Sequence, residues 1–312
     1  MAIPLPGAGV RRAWAGGVRR DQPGTKIQTV MPRAATSSEF RRRAGLELLV
    51  WPAFDALGLD AFVPARPGGV SSGEQGEYSS LNLSFQVGDE PGNVLENRRR
   101  VAAAIGAGLD DFVFANQVHG RVATIVTEAD RGRGARDPGD AIPGADALVT
   151  SDPGTVLAVL AADCVPIVLY DPVSHVLACV HAGWRGAVAR VTDAALAAMG
   201  SLGTRPGDVI AGLGPAIAQD SYQVGDEVAD EARRSFGEQA RSMIRPDGTG
   251  RWLFDIWAAN RQALREAGVP AGQIHVAGVS TGPDPGHFFS HRAQRPCGRA
   301  AAVARLHPRG TR

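Results

Sequence analysis

Four apolar runs follow one another in the middle of the chain, and they constrain its fold more than any other feature. They cover residues 147–150, 156–160, 165–170 and 175–181, and short polar turns separate them. Apolar runs of this length, bounded by turn residues, are typical of buried strands, whereas a helix needs a longer segment to bury one face. The centre of the chain therefore predicts a buried β-sheet.

Strand and helix patterns alternate irregularly on either side of these runs. Two further strands are predicted at residues 112–114 and 122–126, at the spacing of a β-hairpin. Helices are predicted over residues 93–105, 186–199 and 252–267, because apolar side chains recur there every three or four positions. Grouped strands with scattered helices favour an α+β or mixed-sandwich fold over a regular βαβ array.

The composition is that of a globular enzyme-sized protein. The chain has 312 residues, of which 44% are hydrophobic and 21% charged. A formal net charge of +1 gives no global electrostatic reason to bind nucleic acid or a membrane surface, and no apolar run approaches the ~20 residues of a transmembrane helix. The three cysteines do not form a disulfide framework, and no secretory pattern is present, so we expect a cytoplasmic protein.

The N-terminal segment differs from the rest of the chain. Residues 1–46 are rich in Gly, Pro, Ala and Arg and show no sustained apolar periodicity, so we predict a disordered tail, with Met31 as an alternative start. Residues 47–308 contain no internal repeat and no separating linker. We predict that they form a single catalytic domain.

Three short segments each contain one strong metal-binding or nucleophilic side chain. His119 lies in Gln-Val-His-Gly, Cys164 in Ala-Asp-Cys-Val-Pro, and His181 in His-Ala-Gly-Trp-Arg-Gly. Two imidazoles and one thiolate suffice for a catalytic zinc ion with one open coordination position. Cys164 could instead be a nucleophile with a histidine as its base. The residue types alone leave both chemistries open.

Neighbouring residues add candidate catalytic groups. A predicted strand ends on His181, and a glycine turn then opens a helix, so backbone N–H groups and Arg185 could bind a phosphate-sized anion. Asp163 and Asp146 are the nearby candidates for a general acid or base. Cys179 lies two residues before His181 and therefore shares its face of the strand. We interpret Cys179 as a packing residue.

The three segments, in this order, resemble those of the multicopper polyphenol oxidase or laccase-domain family, also called the peptidoglycan editing factor family. The resemblance extends over about residues 61–306. Further matching segments are Gly68-Gly69-Val70-Ser71, Leu81-Asn82-Leu83, Gly88-Asp89, Asn97-Arg98, Asp146-Ala147-Leu148-Val149-Thr150, Gly212-Leu213-Gly214-Pro215-Ala216-Ile217 and Phe288-Phe289-Ser290.

The resemblance implies a site, an activity and a fold. It implies that His119, Cys164 and His181 bind zinc. It implies phosphorolysis of inosine, guanosine, adenosine and methylthioadenosine, together with deamination of adenosine. The partners would then be a small nucleoside and phosphate, bound by a monomer or a homodimer. The fold it implies is a four-layer α/β/β/α sandwich with mixed sheets, similar to a bacterial toxin deamidase.

Three alternatives to nucleoside chemistry are considered, of which one is a non-enzymatic binding role that would not need Cys164. In another, Cys164 attacks an amide of a wrongly built peptidoglycan precursor, with His181 or His119 as base. In the third, the site binds Cu²⁺ and oxidises polyphenols. Two histidines and one cysteine can bind a single copper ion, but seven histidines without a His-x-His pair do not supply a multicopper cluster.

The chain also departs from the family pattern beside the predicted site. Ser221 lies in a segment where the family commonly has a pair of cysteines before the tyrosine, Ser280 replaces a cysteine, and His291 replaces a tyrosine. These changes leave the three predicted ligands intact and alter the expected substrate pocket.

Overall fold

The computed structural model describes residues 37–282 and 286–310. This part of the chain contains sixteen strands and six α-helices. The strands are β1 (Glu39–Arg43), β2 (Leu46–Val50), β3 (Asp60–Pro64), β4 (Phe112–Asn116), β5 (Ala123–Ile125), β6 (Ile142–Pro143), β7 (Ala147–Thr150), β8 (Val156–Ala161), β9 (Val165–Asp171), β10 (Val176–Ala182), β11 (Ile210–Leu213), β12 (Gln223–Gly225), β13 (Ile244–Pro246), β14 (Arg251–Phe254), β15 (Ile274–Val276) and β16 (Ala300–Arg305). The helices are α1 (Pro52–Asp55), α2 (Pro91–Ala103), α3 (Trp184–Val188), α4 (Val191–Ser201), α5 (Asp226–Phe236) and α6 (Ile256–Glu266).

The folded part begins earlier than the predicted boundary at residue 46. Strand β1 pairs antiparallel with β2 over its whole length, from Glu39 opposite Val50 to Arg43 opposite Leu46. The strand β1 was not predicted, because an edge strand with several arginines shows little apolar alternation. Residues 1–36, where we predicted the disordered tail, lie outside the described residues.

Two large mixed sheets form the body of the protein. The first has the strand order β1-β2-β3-β16-β8-β4-β6, with β4 parallel to both of its neighbours. The second has the order β15-β11-β9-β10-β7-β5, with parallel pairs at both edges and antiparallel pairs between them. A small third sheet has the strand order β12-β14-β13. The four central apolar runs are strands β7 to β10, as predicted.

Side-chain alternation along the strands produces four layers. In β10, Leu177 and Cys179 pack between the two sheets, whereas Ala178 and Val180 pack against helices α4 to α6. On the far side, Val101 of α2 belongs to the apolar cluster that covers the outer face of the first sheet. The order helix, sheet, sheet, helix confirms the predicted α+β sandwich with mixed sheets.

Two predicted helices differ in their detail, and a third helix was missed. The helix predicted over residues 186–199 is two helices, because Arg190 between α3 and α4 has a left-handed backbone with φ of 61°. The helix predicted from residue 252 begins at Ile256, where the Asp255 carboxylate accepts the N–H of Ala258 as a cap. The helix α5 was not predicted.

The predicted hairpin between β4 and β5 is wrong. Strand β4 pairs with β8 in the first sheet, whereas β5 pairs with β7 in the second. The chain therefore crosses from one sheet to the other between β4 and β5.

In the described part of the chain, none of the helices is long and apolar enough to cross a bilayer.

A buried arginine fastens the loops on the outer face of the first sheet. Arg98 of α2 is 4% exposed, and its guanidinium donates to the carbonyls of Leu83, Gly134 and Ala135. It also lies over the ring of Phe114, 3.8 Å from the centroid. Burial without a carboxylate partner lowers the pKa of Arg98 to about 9.

Substituting this arginine should destabilise the fold. Arg98→Met keeps most of the side-chain volume but leaves three buried carbonyls without their donor, so we expect the free energy of unfolding to fall by about 2–4 kcal/mol. Urea unfolding followed by circular dichroism measures it. The exposed neighbour Arg99 is the control, since Arg99→Met should change stability by less than about 0.5 kcal/mol. Equal effects of the two substitutions would contradict this account.

Candidate active site

Two of the three predicted metal ligands lie where the chain passes from the first sheet to the second. His119 is in the link from β4 to β5, and Cys164 is in the link from β8 to β9. Both links contain a non-glycine residue in the left-handed region, His119 itself with φ of 59° and Asp163 with φ of 80°. Such conformations are uncommon for residues with a side chain and are concentrated at functional sites.

Strand pairing brings His181 to the same place. In the antiparallel pair of β10 and β9, His181 lies opposite Pro166, two residues after Cys164. The ligand atoms of His119, Cys164 and His181 all lie within 4.8 Å of one another. The two imidazole rings are nearly perpendicular, with centroids 4.8 Å apart. The structure therefore assembles the three residues that the motifs single out.

Close packing requires the glycine that lies two residues after His181. A Cβ atom on Gly183 would lie 3.0 Å from Cys164 Sγ and 3.0 Å from His119 Cδ2. Any side chain there would therefore push the thiol and the imidazole apart. This contact explains the glycine in His-Ala-Gly-Trp-Arg-Gly better than a need for a sharp turn.

Asp146 supports two of the three residues from behind. Its carboxylate is fully buried, and its Oδ1 lies 2.8 Å from His181 Nδ1. The same carboxylate accepts the backbone N–H groups of Val118, His119 and Gly120 at 2.6–3.3 Å. It thereby fixes the His181 ring with Nε2 as the free ring nitrogen. The sequence suggested Asp146 as an acid or base, but its position indicates that it orients the histidines.

Gln117 has a similar supporting role that the sequence analysis did not assign. Its side-chain amide donates to the Leu160 carbonyl at 2.8 Å and accepts the Leu160 N–H at 2.7 Å. The amide thus continues the β4–β8 pairing beyond the end of β4. These two bonds tie the link that contains His119 to the end of β8, four residues before Cys164.

The electrostatics of the cluster favour a thiolate. Burial would raise the pKa of the Cys164 thiol, but the two imidazoles, His181 foremost, lower it to about 6. Burial would lower the pKa of His181, but the Cys164 thiolate and the Asp146 carboxylate raise it to about 9. Cys179 behaves in the opposite way, since complete burial raises its pKa. Its place between the sheets supports the interpretation of Cys179 as a packing residue.

The cluster lies on the wall of a cavity of about 540 Å³. Arg185, Arg292, Arg295 and Arg299 line it, and Asp163 is its one lining carboxylate among the described residues. Other lining side chains are Ser84, Gln86, Gln117, Trp184, Tyr222 and His291. A cavity of this volume accommodates a small molecule, and its excess of guanidinium groups favours an anion.

The two remaining predicted catalytic residues are both at this cavity. Arg185 is exposed in α3, and its guanidinium lies 4.2 Å from the centroid of the Trp184 ring. The Asp163 carboxylate is already engaged, accepting the Thr281 hydroxyl at 2.6 Å and the Arg292 backbone N–H at 2.6 Å. The helix α3 has only five residues, so it provides a weak dipole for the predicted anion site.

Three cavity arginines were missed from the sequence. Arg292, Arg295 and Arg299 lie in the loop before β16, and only their recurrence within eight residues could have drawn attention to them. Tyr222 was noted only as part of a family motif. It is in the cavity wall, where burial raises its pKa and keeps its hydroxyl protonated.

The donor set fits a metal ion. Two imidazoles and a thiolate are preferred ligands of zinc, and a histidine whose second nitrogen binds a buried carboxylate is the usual arrangement around such ions. His119, Cys164 and His181 meet both conditions. The cluster could therefore bind one metal ion with a further position open to the cavity.

Known proteins resemble the chain over most of its length. The family model described as multi-copper polyphenol oxidoreductase laccase matches residues 60–307. A purine nucleoside phosphorylase named YlmD, from Geobacillus stearothermophilus, is 36% identical over 239 residues, covering 76% of this chain and 86% of the relative. An adenosine deaminase named RL5, from an unknown prokaryotic organism, is 37% identical over 235 residues, covering 75% of this chain and 88% of the relative.

Solved structures agree with this assignment. The crystal structure of YlmD from Geobacillus stearothermophilus aligns with a TM-score of 0.81 and 34% identity, covering 87% of this chain and 100% of that chain. The resemblance predicted from the motifs is confirmed, and the chain belongs to the multi-copper polyphenol oxidoreductase laccase family.

Proposed function

We propose that this protein is a zinc-dependent purine nucleoside phosphorylase that also deaminates adenosine. The observation that supports it most is the His119, Cys164 and His181 cluster on the wall of a cationic cavity of about 540 Å³. Relatives named purine nucleoside phosphorylase and adenosine deaminase point to the same chemistry. The substrates would be inosine, guanosine, adenosine and methylthioadenosine.

The two reactions place different demands on the cavity. In phosphorolysis, a phosphate oxygen bonds to ribose C1′ while the bond from C1′ to the purine nitrogen breaks, and the departing base takes up a proton. In deamination, a water oxygen bonds to adenine C6 and ammonia leaves. The first reaction needs a bound phosphate dianion, and the second needs an activated water molecule.

The proposed metal site would serve the second demand directly. His119, Cys164 and His181 would bind the ion, which when present supplies Lewis-acid chemistry and activates water near neutral pH. Asp146 would keep the His181 ring oriented, and the surrounding cavity wall would position the purine. Zinc is the metal we propose, since the one cluster of three donors among the described residues does not provide the several sites that multicopper oxidation requires.

Metal content and turnover test the proposal together. We expect about one zinc per purified chain, measured by mass spectrometry, and release of hypoxanthine from inosine that depends on added phosphate. Cys164→Ser should lose the zinc and at least 100-fold of the turnover, on the order of what is lost with a metal ligand. Cys179→Ala removes the packing thiol and should retain both. A protein that contains zinc but leaves inosine intact in phosphate would contradict the proposed activity.

Asp146 provides a finer test of the same site. Asp146→Asn keeps the size of the side chain but weakens its hold on His181 Nδ1 and on three backbone amides. We expect zinc affinity to fall about 10- to 100-fold, as is usual when the partner of a ligating histidine is changed. Competition with a chromophoric chelator measures the affinity. Unchanged affinity would show that the carboxylate does not support the ligands.

One observation favours the alternative of an amide hydrolase. Cys164 lies beside two imidazoles, and its lowered pKa gives a thiolate at neutral pH, which is what a nucleophilic cysteine needs. Such an enzyme would hydrolyse an amide of a peptidoglycan precursor without a metal.

A chelator separates the two chemistries. After treatment with a strong chelator and removal of the complex, we expect phosphorolysis and deamination to fall about 100-fold, and we expect zinc to restore them. A thiolate nucleophile would instead retain or gain amide hydrolysis in the metal-free protein, and iodoacetamide would abolish it. Activity that survives chelation and is lost on alkylation would overturn the zinc proposal.

A further inference from the structure

We infer that Arg292, Arg295 and Arg299 form the phosphate subsite of this cavity, and that Asp163 is a positioning residue that holds their loop in place. The inference rests on the proposed phosphorylase function and assigns the dianionic co-substrate to the loop before β16, which lines the cavity together with α3. It replaces the earlier expectation that Arg185 and the start of α3 hold phosphate.

The arginines that line the cavity lack carboxylate partners. Among the described residues, none of the cavity arginines 185, 292, 295 and 299 forms an ion pair with a carboxylate, although arginines elsewhere do so regularly. Arg133, Arg190 and Arg305 are examples, each within 3.0 Å of an acidic oxygen. Arg185, Arg292 and Arg295 are exposed and Arg299 is partly buried, so the four positive charges give the cavity a positive potential that favours an anion.

Backbone carbonyls hold the three loop arginines in place. Arg292 Nη1 donates to the Gln223 carbonyl at 3.0 Å, Arg295 Nε to the His291 carbonyl at 2.9 Å, and Arg299 Nη1 to the Cys297 carbonyl at 2.8 Å. Each bond fixes the orientation of a guanidinium without neutralising its charge. The remaining N–H groups are left for a ligand, and little side-chain entropy is lost when it binds.

Side chains from outside the loop hold its backbone at two points. The Asp163 carboxylate accepts the Arg292 backbone N–H at 2.6 Å, and the Asn82 side chain accepts the Arg299 backbone N–H at 2.9 Å. Asn82 is itself fully buried and donates to Asp89 at 2.8 Å. The backbone positions of two of the three arginines therefore depend on hydrogen bonds from two separate segments, the β8–β9 link and the segment between β3 and α2.

The ring of His291 reports the positive potential of this loop. Burial lowers its pKa first, and the charges of Arg299, Arg295 and Arg292 lower it further. The imidazole is therefore neutral at neutral pH, and it adds hydrogen-bonding capacity without a charge. A phosphate dianion bound among the three arginines would neutralise their closely spaced positive charges.

The position of Asp163 argues against its use as the acid or base. Its two oxygens accept from the Thr281 hydroxyl and from the Arg292 N–H, so they are committed to the loops on either side. A general acid or base must instead reach the proton that it transfers. The carboxylate connects the link that contains Cys164 with the arginine loop, which is what a positioning residue requires.

Phosphate binding and the two reactions test the inference together. We expect isothermal titration with inorganic phosphate, on the zinc-loaded protein, to show binding that weakens about 10- to 100-fold in Arg295→Met and in Arg292→Lys. The KM for phosphate in inosine cleavage should rise by the same factor. The ratio of phosphorolysis to adenosine deamination, at fixed phosphate, should fall accordingly, because deamination uses no phosphate. Arg241, which is exposed outside the cavity, is the matched control, and Arg241→Met should behave like the wild type.

Asp163 is tested by the division of effects between KM and kcat. If it positions the loop, Asp163→Asn should raise the KM for phosphate about 10-fold and change the kcat of deamination by less than about 3-fold, since the amide retains one acceptor. If it is the general acid or base, kcat should fall about 10²- to 10⁴-fold with little change in phosphate KM, which would overturn its assignment.

The remaining outcomes separate this inference from the proposed function. A wild type that binds phosphate through Arg295 but cleaves no nucleoside would overturn the phosphorylase and support the anion subsite. A wild type that binds no phosphate overturns the subsite. Phosphate binding that is lost in Arg185→Met and kept in Arg292→Lys and Arg295→Met would place phosphate at α3 and overturn it as well.

Discussion

A single buried carboxylate holds the proposed active site together. The Asp146 carboxylate accepts hydrogen bonds from His181 Nδ1 and from three consecutive backbone N–H groups of the link that contains His119. One side chain therefore orients one histidine and fixes the position of the other. Because the carboxylate is fully buried, these bonds are stronger than they would be in water, and losing one leaves a buried polar group unpaired. The hydrogen bonds of Asp146 therefore orient the His181 ring and position the backbone of His119.

The sandwich explains why this carboxylate is available at that point. Strands β4 and β8 belong to the first sheet, and the strands that follow them, β5 and β9, belong to the second. The two crossings meet the end of β10 at one edge of the interface between the sheets. Polar residues at this edge are within reach of both sheets, whereas the interior between them is closed by apolar side chains such as Leu157 and Leu177. The cluster thus occupies a boundary that the fold creates.

Local patterns gave the parts of the molecule that local physics controls. The buried strands β7 to β10 and the three cluster residues follow from apolar runs and motif residues, and they were predicted. The parts decided by tertiary contacts were not. The partner of β5 depends on which sheet receives it, and the break at Arg190 depends on one backbone angle stabilised by bonds to Asp193 and Glu266. The roles of Asp146 and Gln117 become visible only when strand pairing places them behind the cluster.

The family description and the names of the relatives point to different chemistries, and the residues of the cavity help to choose between them. Oxidation of a phenol requires electron transfer to several metal ions, and the described residues bring together one group of three soft and borderline donors. A phenol also carries no charge that four arginines without carboxylate partners would recognise. A nucleoside with a phosphate dianion uses both features, since the purine can be positioned beside the cluster while the arginines neutralise the phosphate. The charge of the cavity therefore supports an anionic co-substrate independently of the metal, and the donor set supports a bound metal ion independently of the substrate.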